Sequence, residues 1–237
     1  LQNARLNDKD GDVYLNRFYI AYFKSTPGNL DQVQHRFRNL NIIDTVEPVK
    51  VMKYNYEPND PYWGSQWAMQ SISAELAFDL WDINGGQVPG AMESGEIVVG
   101  ISDNGFNWKH PDLIDNVWQN LGEDADGDGV VIIQSGNSWI FDPGDENGVD
   151  DDGDGYVDNF IGWDVIQNDN DPFPINNTID HGTMVGGCIS ASTDNGEGVG
   201  AIGWSVKLMG VNASDNSTTV EDGYGAALAA AQMGANI

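Results

Sequence analysis

Two side chains able to do acid–base chemistry stand in settings that their neighbours constrain. His181 opens the run His181-Gly-Thr-Met-Val-Gly-Gly-Cys-Ile-Ser-Ala191, in which small residues fill the two helical turns that follow. Gly186 and Gly187 carry no bulk, so this helix is expected to press against a sheet and hold the imidazole near a strand end. Asp103 directly follows Glu96-Ile-Val-Val-Gly-Ile-Ser102, a nearly continuous apolar run of the kind buried in a parallel sheet. Reacting groups in such sheets gather at the carboxyl ends of the strands, which gives Asp103, with Asn104 and Gly105 after it, a functional reading. The structural alternatives are a helix-starting histidine bonded only for support and an aspartate that caps a turn or binds a cation.

A second chemistry is written in repeated carboxylates. Asp8-Lys-Asp-Gly-Asp12, Asp124-Ala-Asp-Gly-Asp-Gly129 and Asp150-Asp-Asp-Gly-Asp-Gly155 share one spacing. In the third, Asp150, Asp152, Asp154, the Tyr156 carbonyl and Asp158 fill positions 1, 3, 5, 7 and 9 of a calcium loop, with Gly155 at the sharp turn. Position 12 is Ile161, so a further oxygen must come from elsewhere, with Asp145, Glu146 and water as candidates. The second loop offers Asp124, Asp126, Asp128 and the Val130 carbonyl, while Ile132 and Ser135 add little. The first lacks the glycine after Asp12. Hard oxygens at this spacing favour calcium over zinc, the bland alternative being a solvated acidic loop.

The whole chain is acidic. Asp and Glu number 37 against 10 Lys and Arg, a net charge of -27, and with no basic stripe to neutralise phosphates both nucleic acid and anionic membrane are excluded as partners. Eight Trp within 40% hydrophobic residues argue for a packed core and against disorder. Cys188 is the single cysteine, which excludes an intrachain disulfide and a thiolate zinc site; its place on the His181 helix suggests a small core residue. No apolar run reaches transmembrane length, so membrane insertion is not expected. The chain opens at Leu1 without Met or a hydrophobic leader, as a processed product would. His35 and His110 read as surface and turn residues.

Elements that would position these groups can be read from periodicity. Residues 17–53 suggest a small β-α-β unit: a strand over 17–23, a helix over Asn29 to Leu40 with Leu30, Val33, Phe37 and Leu40 at helical spacing, and a strand over 42–53. Asn, Pro, Asp and Tyr then mark an exposed connector, which divides the chain into 1–54 and 55–237. Further on, the pattern predicts an amphipathic helix over 72–81 and a loop region organised by ligands over 120–180, with the calcium-binding insertion at about 120–175. A helix over 181–191, a strand over 207–211 and a helix over 220–233 follow. For the last, Thr218 with Glu221 fits a capping box, Gly234 suits the C-cap, and Ala226, Ala227, Ala229, Ala230 and Ala231 offer a small-residue face. Residues 235–237 look like the start of a strand.

Several of these segments resemble the subtilisin-like serine peptidases. The His181 run is similar to the family's His-Gly-Thr-His-Val-Ala-Gly motif. Val98-Val-Gly-Ile-Ser-Asp103-Asn-Gly, with His110-Pro-Asp-Leu113, is similar to its Asp motif, with Ser102 in place of an aliphatic residue and Asn104 in place of Ser or Thr. Pro58 to Tyr62 with Gln66-Trp67 looks like the start of the mature domain, and Asn195 to Gly200 resembles the loop after the His helix. The resemblance implies an α/β fold, a mainly parallel sheet with helices on both faces, preceded by a small β-α-β prodomain. It implies a secreted or cell-surface, bacterial endopeptidase acting on polypeptide substrates through a Ser-His-Asp triad. His181 would be its base and Asp103 the residue orienting that base.

The family's Ser lies in a Gly-Thr-Ser-Met-Ala motif, which would follow Ile237 together with the oxyanion-hole Asn. Ser190, Ser192, Ser205, Ser214 and Ser217 lack that context, so this chain alone is expected to be inactive and to need its own C-terminal catalytic portion as partner. The acidic insertion would be a calcium-stiffened rim of the substrate cleft. The competing class is a catalytically silent, calcium-binding structural or adhesive protein on the same scaffold.

Overall fold

The computed structural model describes residues 30–40, 43, 45–46, 56–90, 97–176, 181–216 and 218–237. The chain divides into two compact units, Leu1–Met52 and Lys53–Ile237. In the first, helix α1 (Leu30–Arg38) half-buries Val33 and Phe37, four residues apart, while its last turn is basic. Arg38 then donates to the Val46 carbonyl (3.2 Å). The strand expected over 17–23 lies outside the described residues. So does the one over 42–53, apart from residues 43, 45 and 46, which are not in a strand. The Asp8–Asp12 loop also lies outside them.

The second unit is built on a parallel sheet in the order β1-β5-β4, from β1 (Val98–Asp103), β4 (Gly162–Asp164) and β5 (Lys207–Asn212). Its register pairs Asp103 with Asn212 and Asp164 with Asn212, so three polar side chains share one level at the carboxyl ends of the strands. Alternation divides the apolar residues between two faces. Leu208 and Ile101 join Phe106, Trp108, Phe160 and Ile161 in one core, to which α4 (His181–Ser190) adds Val185 and Ile189. Val98, Met209 and Val211 form the other with Ala226, Ala229 and Ala230 of α5 (Gly223–Gln232). The fold is therefore α/β with helices on both faces of a parallel sheet, as the family resemblance implies.

Small residues set the helix-to-sheet distances. On α4 the positions facing the sheet are Gly182, Gly186 and Ser190, one turn apart, and a Cβ on Gly186 would lie 3.0 Å from the Phe106 ring and 3.3 Å from Ile101. Gly187 has open space and does not share this role. Cys188 is exposed, because it lies on the outer face of the helix with Met184; the core position expected for it is not observed. Of the alanines on α5, Ala226, Ala229 and Ala230 are buried, whereas Ala227 and Ala231 face outwards.

Other boundaries also differ from expectation. The helix predicted over 72–81 is shorter, α3 (Ala74–Phe78), and a separate short helix that was not predicted, α2 (Trp67–Ser71), precedes it, with Ser73 between them at φ 58. Helix α5 starts at Gly223 with Asp222 as its cap, accepting from Gly225 N–H (2.8 Å). The amides of Glu221 and Asp222 both donate to the Ala213 carbonyl and hold the chain out of helical geometry, so the Thr218–Glu221 box does not form. Within the acidic region lies an antiparallel hairpin, β2 (Ile132–Ser135) and β3 (Ser138–Phe141), turned at Gly136 with φ 62. It buries Val131 and Ile132 and stacks Phe141 on Trp108 at 5.1 Å between centroids.

The two adjacent glycines of α4 should respond oppositely to substitution. Gly186→Val overfills the contact with Phe106 and should lower unfolding free energy by about 1–3 kcal/mol. Gly187→Ala, in open helical space, should raise it by up to about 1 kcal/mol. Urea unfolding of the two variants checks both signs.

Candidate active site

Strand parity decides where the carboxylate of Asp103 goes. Residues 99, 101 and 103 of β1 face the α4 side, and residues 98, 100 and 102 face α5. Ser102 accordingly donates its hydroxyl to the Gly223 carbonyl at the start of α5 (3.3 Å). Asp103 meets the first residue of α4, and both its carboxylate oxygens lie 2.9 Å from His181 Nδ1. A carboxylate can only accept, so Nδ1 carries the proton in this pair and Nε2 is left as a basic nitrogen. The imidazole is 65% exposed and the Asp103 side chain 13%. This leaves the imidazole open to solvent and the carboxylate that it contacts largely withdrawn from water.

The helix start is tied to the turn after β1 at two further points. Asn104 Oδ1 accepts from the Gly182 N–H (3.1 Å), and Thr183 Oγ1 accepts from the Asn107 N–H (3.0 Å). The Asn104 N–H donates to Asp103 Oδ1 (2.8 Å). Both departures from the family motif thus have defined partners, Ser102 towards α5 and Asn104 towards α4. At the same end of the sheet, Asn212 donates to Asp164 Oδ2 (2.5 Å), while Asp164 Oδ1 accepts from the amides of Ile166 and Gln167. Burial pushes the Asp164 carboxyl above the ordinary carboxylate range, against those hydrogen bonds.

The two described acidic loops fold on their own carboxylates. Asp124 accepts from the amides of Gly127, Asp128 and Gly129, and Asp150 from those of Gly153 and Gly155. Asp128 and Asp154 accept from Val130 and Tyr156 N–H in the same way two residues on. Two carboxylate groups have oxygens all within 4.8 Å of one another: Asp124, Asp126 and Asp145, and Glu123, Asp150 and Asp152. Of the residues read from the spacing, Asp124, Asp126, Asp150 and Asp152 enter these groups. Asp128 does not enter them. Asp154 bonds Asn159 instead, and Asp158, at φ 52, turns back to the amides of Asn147 and Gly148.

Glu123 was not expected in the site, and Asp145 serves the other loop from the one proposed for it. Both are fully buried. Glu123 accepts from the amides of Asp151, Asp152 and Asp158, which holds the third loop around it. Asp145 Oδ1 accepts from Asp126 N–H, and its Oδ2 has no partner. Burial pushes both carboxyls upwards. An unpartnered buried carboxylate oxygen beside two others is a set of hard donors that fits a divalent cation.

A profile of the subtilase family matches residues 94–237. A thermophilic serine proteinase of Bacillus sp. (strain AK1) is 27% identical over 213 residues, 89% of this chain and 39% of its own length. Halolysin of Haloferax mediterranei is 30% identical over 184 residues, 77% of this chain and 26% of its own. Among solved structures, a protease from Pseudoalteromonas arctica is 23% identical over 68% of this chain and 40% of that chain, with a TM-score of 0.34. The chain thus spans at most 39% of the length of these two curated relatives.

A pH dependence follows from Asp164. Its folded pKa lies above the unfolded value, so the folded chain binds the proton more tightly, and stability is lost as pH rises from about 4 through the raised value. Asp164→Asn cannot ionise and lacks this loss. The stability advantage of the wild type over Asp164→Asn should therefore be smaller at about pH 8 than at about pH 4. Urea titrations of both proteins at the two pH values measure it, and a growing advantage would contradict the assignment.

Proposed function

The chain belongs to the subtilase family, and on that footing we propose that it is the Asp- and His-bearing part of a secreted, calcium-stabilised serine endopeptidase. The observation that carries this reading is the pair itself, Asp103 at 2.9 Å from His181 Nδ1 with the ring otherwise open. A serine hydroxyl is a weak nucleophile at neutral pH and needs a neighbouring base. In this reading His181 Nε2 takes the hydroxyl proton as the Ser oxygen attacks a peptide carbonyl, and then returns it to the leaving amine. Asp103 holds the Nδ1–H tautomer and stabilises the imidazolium formed between the two steps. No serine of residues 1–237 is assigned as that nucleophile, and the reading assigns the Ser and the oxyanion-hole Asn to the part of the relatives' length that this chain does not span. Residues 1–54 are read as a propeptide-like unit, of which α1 is the described helix.

Calcium is the cation proposed for the acidic region. Asp124, Asp126 and Asp145 would hold one ion and Glu123, Asp150 and Asp152 another, with the Val130 and Tyr156 carbonyls and water to complete each shell. Bound there, calcium offsets repulsion among carboxylates that no Lys or Arg in the segment 120–180 relieves. This stiffens a region that shares the Phe106–Trp108 core with the turn after Asp103. The substrates proposed are polypeptides, reached outside the cell where millimolar calcium is available.

Two measurements test the proposal. In the longer protein that contains this chain, a fluorophosphonate probe should label one serine, and His181→Ala should slow labelling at least about a hundredfold. An unlabelled wild type would sink the peptidase reading. Chelation should lower the melting temperature, and calcium restored to about 100 times its Kd should return about 2.7 kcal/mol for each ion bound. A melt indifferent to both would remove the calcium assignment.

A further inference from the structure

We propose that Asn104 is a positioning residue that sets the orientation of His181 by joining the first turn of α4 to the end of β1, an inference that rests on the catalytic reading of Asp103 and His181. Asn104 is buried at 6% exposure and bonds in both directions. Its backbone N–H donates to Asp103 Oδ1 (2.8 Å), and its side-chain Oδ1 accepts from the N–H of Gly182, the residue next to His181 (3.1 Å). One residue therefore grips the acid and the backbone that carries the base.

The need for such a grip follows from exposure. An imidazole that is 65% exposed has little packing to fix its ring, so its direction depends on the Asp103 contact and on where the helix begins. The Gly182 N–H belongs to the helix N-terminus, where amides have no partner inside the helix, and Asn104 supplies one from another element. The approach is close. A Cβ on Gly182 would collide with the Gly105 carbonyl oxygen and reach 3.0 Å from Asp103 Cβ, so a small rotation of the helix start moves the ring relative to the carboxylate.

The tautomer of His181 reports this function. Long-range proton–nitrogen NMR on the 237-residue chain, above the histidine titration, distinguishes Nδ1–H from Nε2–H rings, and with three histidines the spectrum is readily assigned. In the wild type, His181 should be Nδ1–H. In Asn104→Ala it should become a mixture of tautomers, and the Gly182 amide should exchange at least about tenfold faster, the loss of one capping bond. Asn104→Asp, which keeps an acceptor at the same place, should restore both. Should the alanine variant not fold, Asn104→Leu, close in size to Asn and without an acceptor, takes its place with the same expected loss.

Retention of a pure Nδ1–H ring in the variant lacking the acceptor, while Asp103→Asn loses it, would overturn the role of Asn104 and leave the pair intact. A wild-type ring found as Nε2–H would instead sink the pairing on which the peptidase reading stands.

Discussion

The close approach of α4 to the end of β1 is the constraint on which the rest of the site depends. Gly182 lies against the Gly105 carbonyl and Asp103, and Gly186 against Phe106 and Ile101. Side chains at either position would push the helix outwards, and His181 would move with it. The parallel pairing of β1 with β5 fixes the level of Asp103, and strand parity fixes its face. Helix and strand meet there because the helix presents its smallest residues, Gly182 and Gly186, where the backbones come nearest.

Charge imposes the second constraint. Within the acidic region carboxylates take up backbone amides, which turns repulsion among side chains into hydrogen bonds along the loop. The two loops also exchange support. Glu123 precedes Asp124 in sequence yet closes on Asp150 and Asp152, while Asp145 lies ahead of Asp150 and closes on Asp124 and Asp126. Neither loop is complete without a residue that flanks the other, so the segment 123–158 behaves as one folded piece. Its hairpin seats Val131 and Ile132 in the core under α4, with Phe141 stacked on Trp108, so ordering of the loops reaches the turn that follows Asp103.

The two substitutions in the Asp motif belong to the same arrangement. Ser102 faces α5 and bonds its first carbonyl, and Asn104 faces α4 and bonds its second amide. An aliphatic residue at 102 would face the same helix without that bond. Polar residues on both sides of Asp103 bring the starts of two helices, one on each face of the sheet, to a single strand end.

Much of this was legible in the residues themselves. Apolar runs of strand length, helical spacing and glycine placement located β1, β5, α4 and the body of α5, and they singled out Asp103 and His181. Repeated Asp spacing located the acidic loops, because a turn that gathers carboxylates is a local property of the chain. Tertiary structure decided the rest. That Glu123 and Asp145 complete opposite loops depends on contacts across the fold, and an acidic side chain reads the same in sequence wherever it points. Whether Cys188 faced the core or solvent, and whether Asn104 reached Gly182, depended on the surface each helix was pressed against. Local sequence sets conformational preference over a few residues, whereas burial and partner choice are set by residues distant in the chain, and only the folded molecule brings those together.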